Sequence, residues 1–477
     1  MSRARTHCVH VHVAIVGAYG SAGTAVAGEL VDVPGVELTL VDDGDPGGGL
    51  CILRGCMPSK EVISAGAHRF QARHDHRTTG TPEVDLDAVV ETKDDHTASF
   101  AEHRRSTVHG WAERETVTFH RGPAHFVDDR TLAVGDETIE PDYVVVATGS
   151  SVNVPDLPGV EAIDYMTSAD VLDATAFPET GVVMGFGCVG TELVPYLAEA
   201  GGMDLTVVEH DDRPLDEADP PFGDAVLDIY REQFGVDIRT NACEQRVEPT
   251  DDGGVRLFLE GDAGEEVVEA DQLFCFTGRR PAVDGLGLEN TALSPDPGWV
   301  EDTMQARDDG RVFVVGDVNG REPILHVAKE QGFQAADNIL AHARGEQLAP
   351  YENVHHHVIF SGLGVYPFAR VGHNEGTARE AGRDVAVATR QASDDGVFRT
   401  KDVPDGLAKL VVDCGDGTVL GYQGLHYHAD AMAKTMQVVV ELGLDVREVP
   451  DRSYHPTTPE ILDGLFRECA AAVEESD

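Results

Sequence analysis

Residues 11–30, VHVAIVGAYGSAGTAVAGEL, with VELTLVDD following at 36–43, decide how this chain folds. An apolar, β-branched run ends at Gly17, a helix-forming stretch follows, and a second apolar run ends at Asp42. The pattern returns at 180–201, TGVVMGFGCVGTELVPYLAEAG, followed by MDLTVVEH, where the strand ends at Gly185 and the acid is Glu209. In both, the distance from turn to acid is close to the roughly 20 residues of a dinucleotide-binding unit. Glycines at such a turn let the backbone approach a pyrophosphate, the helix start offers unpaired N–H groups, and the acid takes ribose hydroxyls. One fingerprint of this kind is a weak signal. Two, each in strand–turn–helix context, predict an α/β chain that binds two nucleotides.

The copies differ. Gly185, Gly187 and Gly190 fit G-x-G-x-x-G, whereas the first copy has Tyr19 where the second glycine belongs. Gly17, Gly20 and Gly23 then read as a loop one residue longer, and the Tyr19 side chain needs room beside the pyrophosphate. Two further runs, EPDYVVVATGS (140–150) and GRVFVVGDVNG (310–320), predict buried strands that open onto a ligand. From about residue 349 shorter alternating strands and two helical stretches, AMAKTMQVVVELG and TPEILDGLFRECAAAVEE, predict a separate α+β domain. The triplet His355–His357 reads as strand plus surface, because alternate residues of a strand point to opposite faces.

The 477 residues carry 85 acids against 36 Lys and Arg, a net charge of -49. The acids are spread over all regions, and only six lysines occur, at 60, 93, 329, 401, 409 and 434. Such a surface suits a halophile, where salt screens the self-repulsion, and it excludes nucleic acid as a partner. No apolar run approaches a membrane span and no signal-peptide core stands at the start, so a cytoplasmic protein without a membrane partner is expected.

Eight cysteines include one close pair, Cys51 and Cys56, inside GGGLCILRGCMPSK (47–60). A zinc pair is usually spaced two residues apart with a matching partner pair, which is missing, so no metal site is expected. A structural staple does not suit a chain of this size without a secretion signal. A redox pair remains. The other six, Cys8, Cys188, Cys243, Cys275, Cys414 and Cys469, are read as buried thiols.

These features together resemble the pyridine nucleotide–disulfide oxidoreductases over nearly the whole chain. The resemblance rests on GGGLCILRGCMPSK, ATGS, the second fingerprint with Glu192, FTGRRP (276–281), VVGDV (314–318) and HPTTPE (455–460), in the family's order. It implies FAD in the first nucleotide fold, NAD(P)H in the second and a homodimer with its active site shared between subunits. The segments implied are 1–155 for FAD with the redox pair, 156–275 for NAD(P), 276–348 as the second part of the FAD domain, and 349–477 as the interface domain. Cofactor-binding residues implied are Gly17, Gly20, Ser21, Ala22, Asp42, Gly48, Gly49, Thr148, Gly149, Asp317, Gly185, Gly187, Gly190, Glu192, Glu209 and Gly278. Cys56 is implied as the thiol against the flavin and Cys51 as the thiol that meets substrate. Lys60 and Glu192 are implied near the flavin ring, and His455 with Glu460 as the acid–base pair acting on the partner subunit's cysteines.

Within the family, the His455–Glu460 dyad and a single Cys469 near the end disfavour Hg(II) as substrate, because mercuric reductases lack the dyad and end in a vicinal cysteine pair. Arg54, inside the redox loop, suggests an anionic substrate, with Arg104 or Arg105 near the same cleft. Halophilic archaea as a group use γ-glutamylcysteine, so bis-γ-glutamylcystine is the small-molecule disulfide expected, and dihydrolipoamide is the alternative. Glu209 favours NADH, while thiol-maintenance reductases mostly use NADPH and Arg213 suits its phosphate. NADPH is the expected donor, with NADH possible. Cys188 stands where some relatives carry a lid tyrosine and is read as a small packing residue.

Overall fold

The structure, a computed structural model, describes residues 10–261 and 264–476; Cys8, the rest of residues 1–9, residues 262–263 and Asp477 lie outside the described residues. Two compact units are present. One gathers the chain up to Pro58, Asp94–Asn153 and Arg279–Asn353; the other gathers Ser59–Lys93, Val154–Gly278 and the chain from Val354 onward. The α/β class is the one the two fingerprints predict.

The first unit is built on a five-stranded parallel sheet in the order Val312–Val314, Tyr143–Val146, β1 (Val11–Val16), β2 (Val36–Asp42), Val117–Arg121. Its strands read as unbroken apolar runs because both faces are covered. Along β1, Val13 and Ile15 enter one core, while Ala14 and Val16 enter the other. Helix α1 (Ser21–Leu30) starts four residues past Gly17 with Gly20 as its N-cap. It packs against helix Leu325–Arg344 closely enough that a Cβ on Gly332 would lie 2.7 Å from the Ala22 carbonyl oxygen.

In the second unit a related order recurs, Asp237–Arg239, Asp204–Val208, Thr180–Met184, Gln272–Cys275, Tyr165–Thr167, all parallel, with the outer strand Tyr165–Thr167 preceding the other four in the chain where Val312–Val314 follows them in the first unit. In each fold a three-stranded antiparallel sheet follows the edge strand, Val117–Arg121 or Asp237–Arg239: Ala124–Asp128, Thr131–Val134 and Glu137–Ile139 in the first, Ala242–Pro249, Val255–Gly261 and Gly264–Ala270 in the second. The second unit also contains the C-terminal antiparallel sheet, ordered His356–Ile359, Phe368–Gly372, Val419–Leu425, Leu407–Asp413, Val385–Gln391. Helices Ala429–Glu441 and Glu460–Ser476 pack on it, so the stretch read as α+β is α+β.

Two of the six lysines sit inside this unit. Lys409 is 7% exposed and pairs with Asp219 at 2.9 Å and Glu375 at 2.6 Å; Lys93 is 2% exposed and pairs with Asp173. Buried cations persist only with such partners. The histidine triplet is partly buried. His355 Nε2 and His357 Nδ1 lie 2.9 and 2.7 Å from the two carboxylate oxygens of Glu217, on one face, while His356 turns its ring to the Val354 carbonyl. Burial raises the Glu217 carboxyl, but the two imidazoles more than offset this, and it titrates well below the usual carboxylate range.

The two glycine turns are closed by contacts that exclude a side chain. A Cβ on Gly190 would lie 2.5 Å from the Gly185 oxygen, whereas one on Gly187 would meet nothing within 4 Å. Gly190→Ala should therefore destabilise the chain by about 1–3 kcal/mol, the usual size of overpacking. Gly187→Ala, at an ordinary φ of -71°, should leave the thermal midpoint unchanged. A depressed Glu217 stabilises the fold above the ordinary carboxylate range and ceases to do so as pH falls below it. Glu217→Gln should thus lower stability by about 2 kcal/mol at pH 7 and by progressively less below about pH 4, measured by denaturant unfolding at constant salt.

Candidate functional site

A cavity of about 580 Å³ lies within the first unit. Its floor is the first glycine turn: Gly17, Gly20, Ser21 and Ala22 line it, with Asp42 beside them. Gly17 has φ +95° and donates to the Val41 carbonyl at 2.9 Å. From Gly17 to its N-cap Gly20 the turn is one residue longer than from Gly185 to Gly187, and a Cβ on Gly23 would lie 2.2 Å from the Gly17 oxygen. Helix α1 has no capping side chain and no acid in its first turn, so its leading N–H groups are open to an anion.

Tyr19 does not crowd this floor. Its ring is buried away from the cavity, against His109 and Phe119, with its hydroxyl 2.7 Å from His109 Nε2. Its backbone N–H donates to Asp42 Oδ2 at 2.8 Å, and Gly44 N–H donates to Oδ1 at 2.9 Å. Burial raises the Asp42 carboxyl, and these two donors oppose the rise. The second turn repeats the device, with Phe186 N–H donating to Glu209 Oε2 at 2.8 Å.

Thr148, Gly149 and Asp317 line the cavity opposite their own strand ends. Asp317 accepts from Ser150 Oγ at 2.6 Å; Arg279 in turn donates through Nε to Ser150 Oγ at 2.8 Å and through Nη2 to the Ser150 carbonyl at 2.6 Å. Burial lowers the Arg279 pKa. Gln331, 1% exposed on helix Leu325–Arg344, accepts from Gly316 N–H at 2.8 Å and Asn319 Nδ2 at 2.7 Å, fixing the turn that carries Asp317. Sequence reading missed Ser150, Arg279 and Gln331. The first two lie inside quoted motifs; the signal for Gln331 is a polar residue on the apolar face of an amphipathic helix.

Cys51 and Cys56 also line this cavity. Cys51 lies in the short helix α2 (Leu50–Leu53), and Cys56 opens α3 (Cys56–His74). Both are thiols here, half-buried and exposed respectively, and their side chains are hydrogen-bonded. That bond and burial push the Cys51 pKa up, opposed by the Cys56 backbone N–H at the start of α3 and by the Arg104 guanidinium.

The second unit holds two further pairs. Lys60 Nζ lies 2.7 Å from both oxygens of Glu192, which also accepts from Phe360 N–H at 3.0 Å. His455 Nδ1 lies 3.1 Å from both Glu460 oxygens, and Thr457 N–H donates to Glu460 at 2.8 Å; these bonds hold the Glu460 carboxyl below its ordinary value. The His455 ring is 79% exposed. The helix after Gly187 has no capping side chain and no acid in its first turn, and Gly278 has φ +84° with open space around it.

The structure places the remaining sequence-predicted residues and corrects the reading of three cysteines as buried. Arg104 and Arg105 are each held by a backbone carbonyl: Arg104 Nη1 is bound to the Tyr19 carbonyl and also to Thr24 Oγ1, and Arg105 Nη1 to the Gly47 carbonyl at 2.9 Å. Arg54 is exposed at the end of α2, off the cavity wall. Gly48 is buried against Ala101 and Leu53, also off the wall, while Gly49 is on it. Cys188 and Cys243 are exposed and Cys414 is half-buried; of the thiols read as buried, Cys275 and Cys469 are. Arg213 is engaged by Asp224 at 2.9 Å and Asp212 at 3.0 Å. No helix among the described residues is long and apolar enough to cross a membrane.

The site and both folds match one family throughout. The sequence pattern of the pyridine nucleotide-disulphide oxidoreductases matches residues 11–332, and that of their dimerisation domain matches residues 358–465. The chain belongs to this family, the FAD-containing, NAD(P)H-dependent disulfide reductases. It is 30% identical to the dihydrolipoyl dehydrogenase of Halobacterium salinarum, covering 94% of each chain. It is 27% identical to the mercuric reductase of Staphylococcus aureus, covering 91% of this chain and 78% of that one. The HOCl-induced flavoprotein disulfide reductase RclA from Escherichia coli shares its fold at a TM-score of 0.80 and 22% identity, over 96% of this chain and 99% of that one.

Gln331→Leu removes one acceptor from two buried donors, Gly316 N–H and Asn319 Nδ2. It should cost about 2–4 kcal/mol and reduce flavin retained on purification, read by thermal unfolding and by absorbance at the flavin band.

Proposed function

We propose that this chain reduces a small soluble disulfide, bis-γ-glutamylcystine, at the expense of NADPH, using Cys51 and Cys56 as its redox pair. The observation that carries the reading is the hydrogen-bonded thiol pair in the wall of a cavity whose floor is a nucleotide turn. FAD, when bound, supplies the two-electron relay between nicotinamide and this pair. Gly17, Gly20, Ser21 and Ala22 would receive its diphosphate, and Thr148, Gly149 and Asp317 the rest of its chain. Gly185, Gly187 and Gly190 would receive the nicotinamide nucleotide.

The Cys51 thiolate attacks one sulfur of the substrate disulfide, and the first substrate thiolate leaves with a proton from His455 of a second copy of this chain. Glu460, held ionised by its two donors, orients that imidazole. Cys56 then attacks Cys51 in the mixed disulfide and releases the second thiol, leaving the Cys51–Cys56 disulfide to be re-reduced. One disulfide, one NADPH and one proton yield two thiols and NADP⁺. Arg54, exposed beside Cys51, suits a substrate with four carboxylates.

A second reading, dihydrolipoyl dehydrogenase with NAD, is favoured by the 30% identity to the Halobacterium salinarum enzyme. Glu209 also favours NAD(H). Against mercuric reduction stands Cys469, 1% exposed and packed toward the Leu410 carbonyl.

The test is NADPH and NADH oxidation in molar KCl with bis-γ-glutamylcystine, glutathione disulfide, lipoamide and Hg(II) in parallel. Turnover should be greatest with bis-γ-glutamylcystine and NADPH, and Cys51→Ser and Cys56→Ser should abolish it. Turnover greatest with lipoamide and NADH would replace the first reading with the second.

A further inference from the structure

Tyr19 stands in place of a glycine, and its neighbours are shaped to admit it. A Cβ on Gly47 would lie 2.1 Å from Tyr19 Cε2, and a Cβ on Gly49 would lie 3.0 Å from the Tyr19 carbonyl oxygen. The lengthened nucleotide turn is therefore packed directly on the backbone that leads into α2, the helix of Cys51. That same carbonyl accepts from Arg104 Nη1 at 2.8 Å, and Thr24 Oγ1 of α1 lies 2.9 Å from this nitrogen. Arg104 comes from the long helix α4 (Leu86–Ala112) and is half-buried.

We propose that Arg104 is a positioning residue for the thiol chemistry: clamped on the Tyr19 carbonyl, it fixes the redox loop and biases Cys51 toward its thiolate. The proposal rests on the reading of Cys51 as the exchanging thiol. The Arg104 guanidinium and a Cys51 thiolate each favour the other's charged form, against the burial that lowers the Arg104 pKa. The groups facing Cys51 are the Cys56 thiol and N–H from α3 and Arg104 from α4. Asp42, Asp43, Asp284, Asp317 and Arg279 share its cavity. The four carboxylates there work against a thiolate, so a cation held on the protein side of Cys51 has a definite task.

The test is the pH dependence of iodoacetamide alkylation of Cys51 in the flavin-loaded full chain, reduced with dithiothreitol in molar KCl and resolved by peptide mass spectrometry. Arg104→Gln should raise the midpoint by about one pH unit, slowing alkylation at pH 7 roughly tenfold, with the flavin spectrum unchanged. Arg104→Lys, which keeps the charge, should stay near the wild-type midpoint. An unmoved midpoint in Arg104→Gln overturns the proposal, as does an equal shift in Arg104→Lys. Arg104→Met stands in if the Gln variant loses flavin; loss of flavin in both would make Arg104 a cofactor-retention residue and also overturn the proposal. Failure of the underlying reading is separable, since thiol counting on the oxidised protein would then find no Cys51–Cys56 disulfide.

Discussion

The Gly17 carbonyl oxygen occupies the space in which a side chain on residue 23 would begin, and the Gly185 oxygen does the same to residue 190. Each contact presses the start of a helix onto the end of a strand, closer than any Cβ allows. In both folds the helix that follows begins without a capping side chain. The strands beneath can be apolar on both faces because helices cover one face and further packed elements the other. Cavity, turn and buried sheet in the first unit are consequences of that one close approach.

The acids at the ends of the second strands add a role that a ribose-binding view leaves out. Asp42 and Glu209 each accept a backbone N–H from the glycine turn they face. They therefore organise the turn in the protein itself. Two folds that share four strands of one topology, each with its own antiparallel insertion after the edge strand, use the same bond.

Much of this was legible in the sequence because it is local. Strand, turn, helix and acid follow one another within about 30 residues, and the cysteines, the His455–Glu460 dyad and the Lys60–Glu192 pair come from motifs whose order is the family's. What escaped is tertiary. Nothing near Tyr19 in sequence says that its ring turns to His109, 90 residues away, rather than to the ligand. Gln331 reveals itself only once Gly316 and Asn319 are seen to donate to it. The partners of Arg104 and Arg105 escaped for the same reason, since backbone carbonyls of the turn and of the redox loop claim them. The exposed Cys188 and Cys243 show that sparse cysteines are not always interior ones.

The placement of lysine has a practical side. Lys93 and Lys409 are enclosed by the carboxylates they neutralise, and Lys60 is held by Glu192. Lys329, Lys401 and Lys434 are the lysines left exposed. An acid-covered protein of 477 residues thus offers amine-reactive reagents three exposed lysine handles, so labelling, cross-linking or surface attachment through lysine is confined to a few known points.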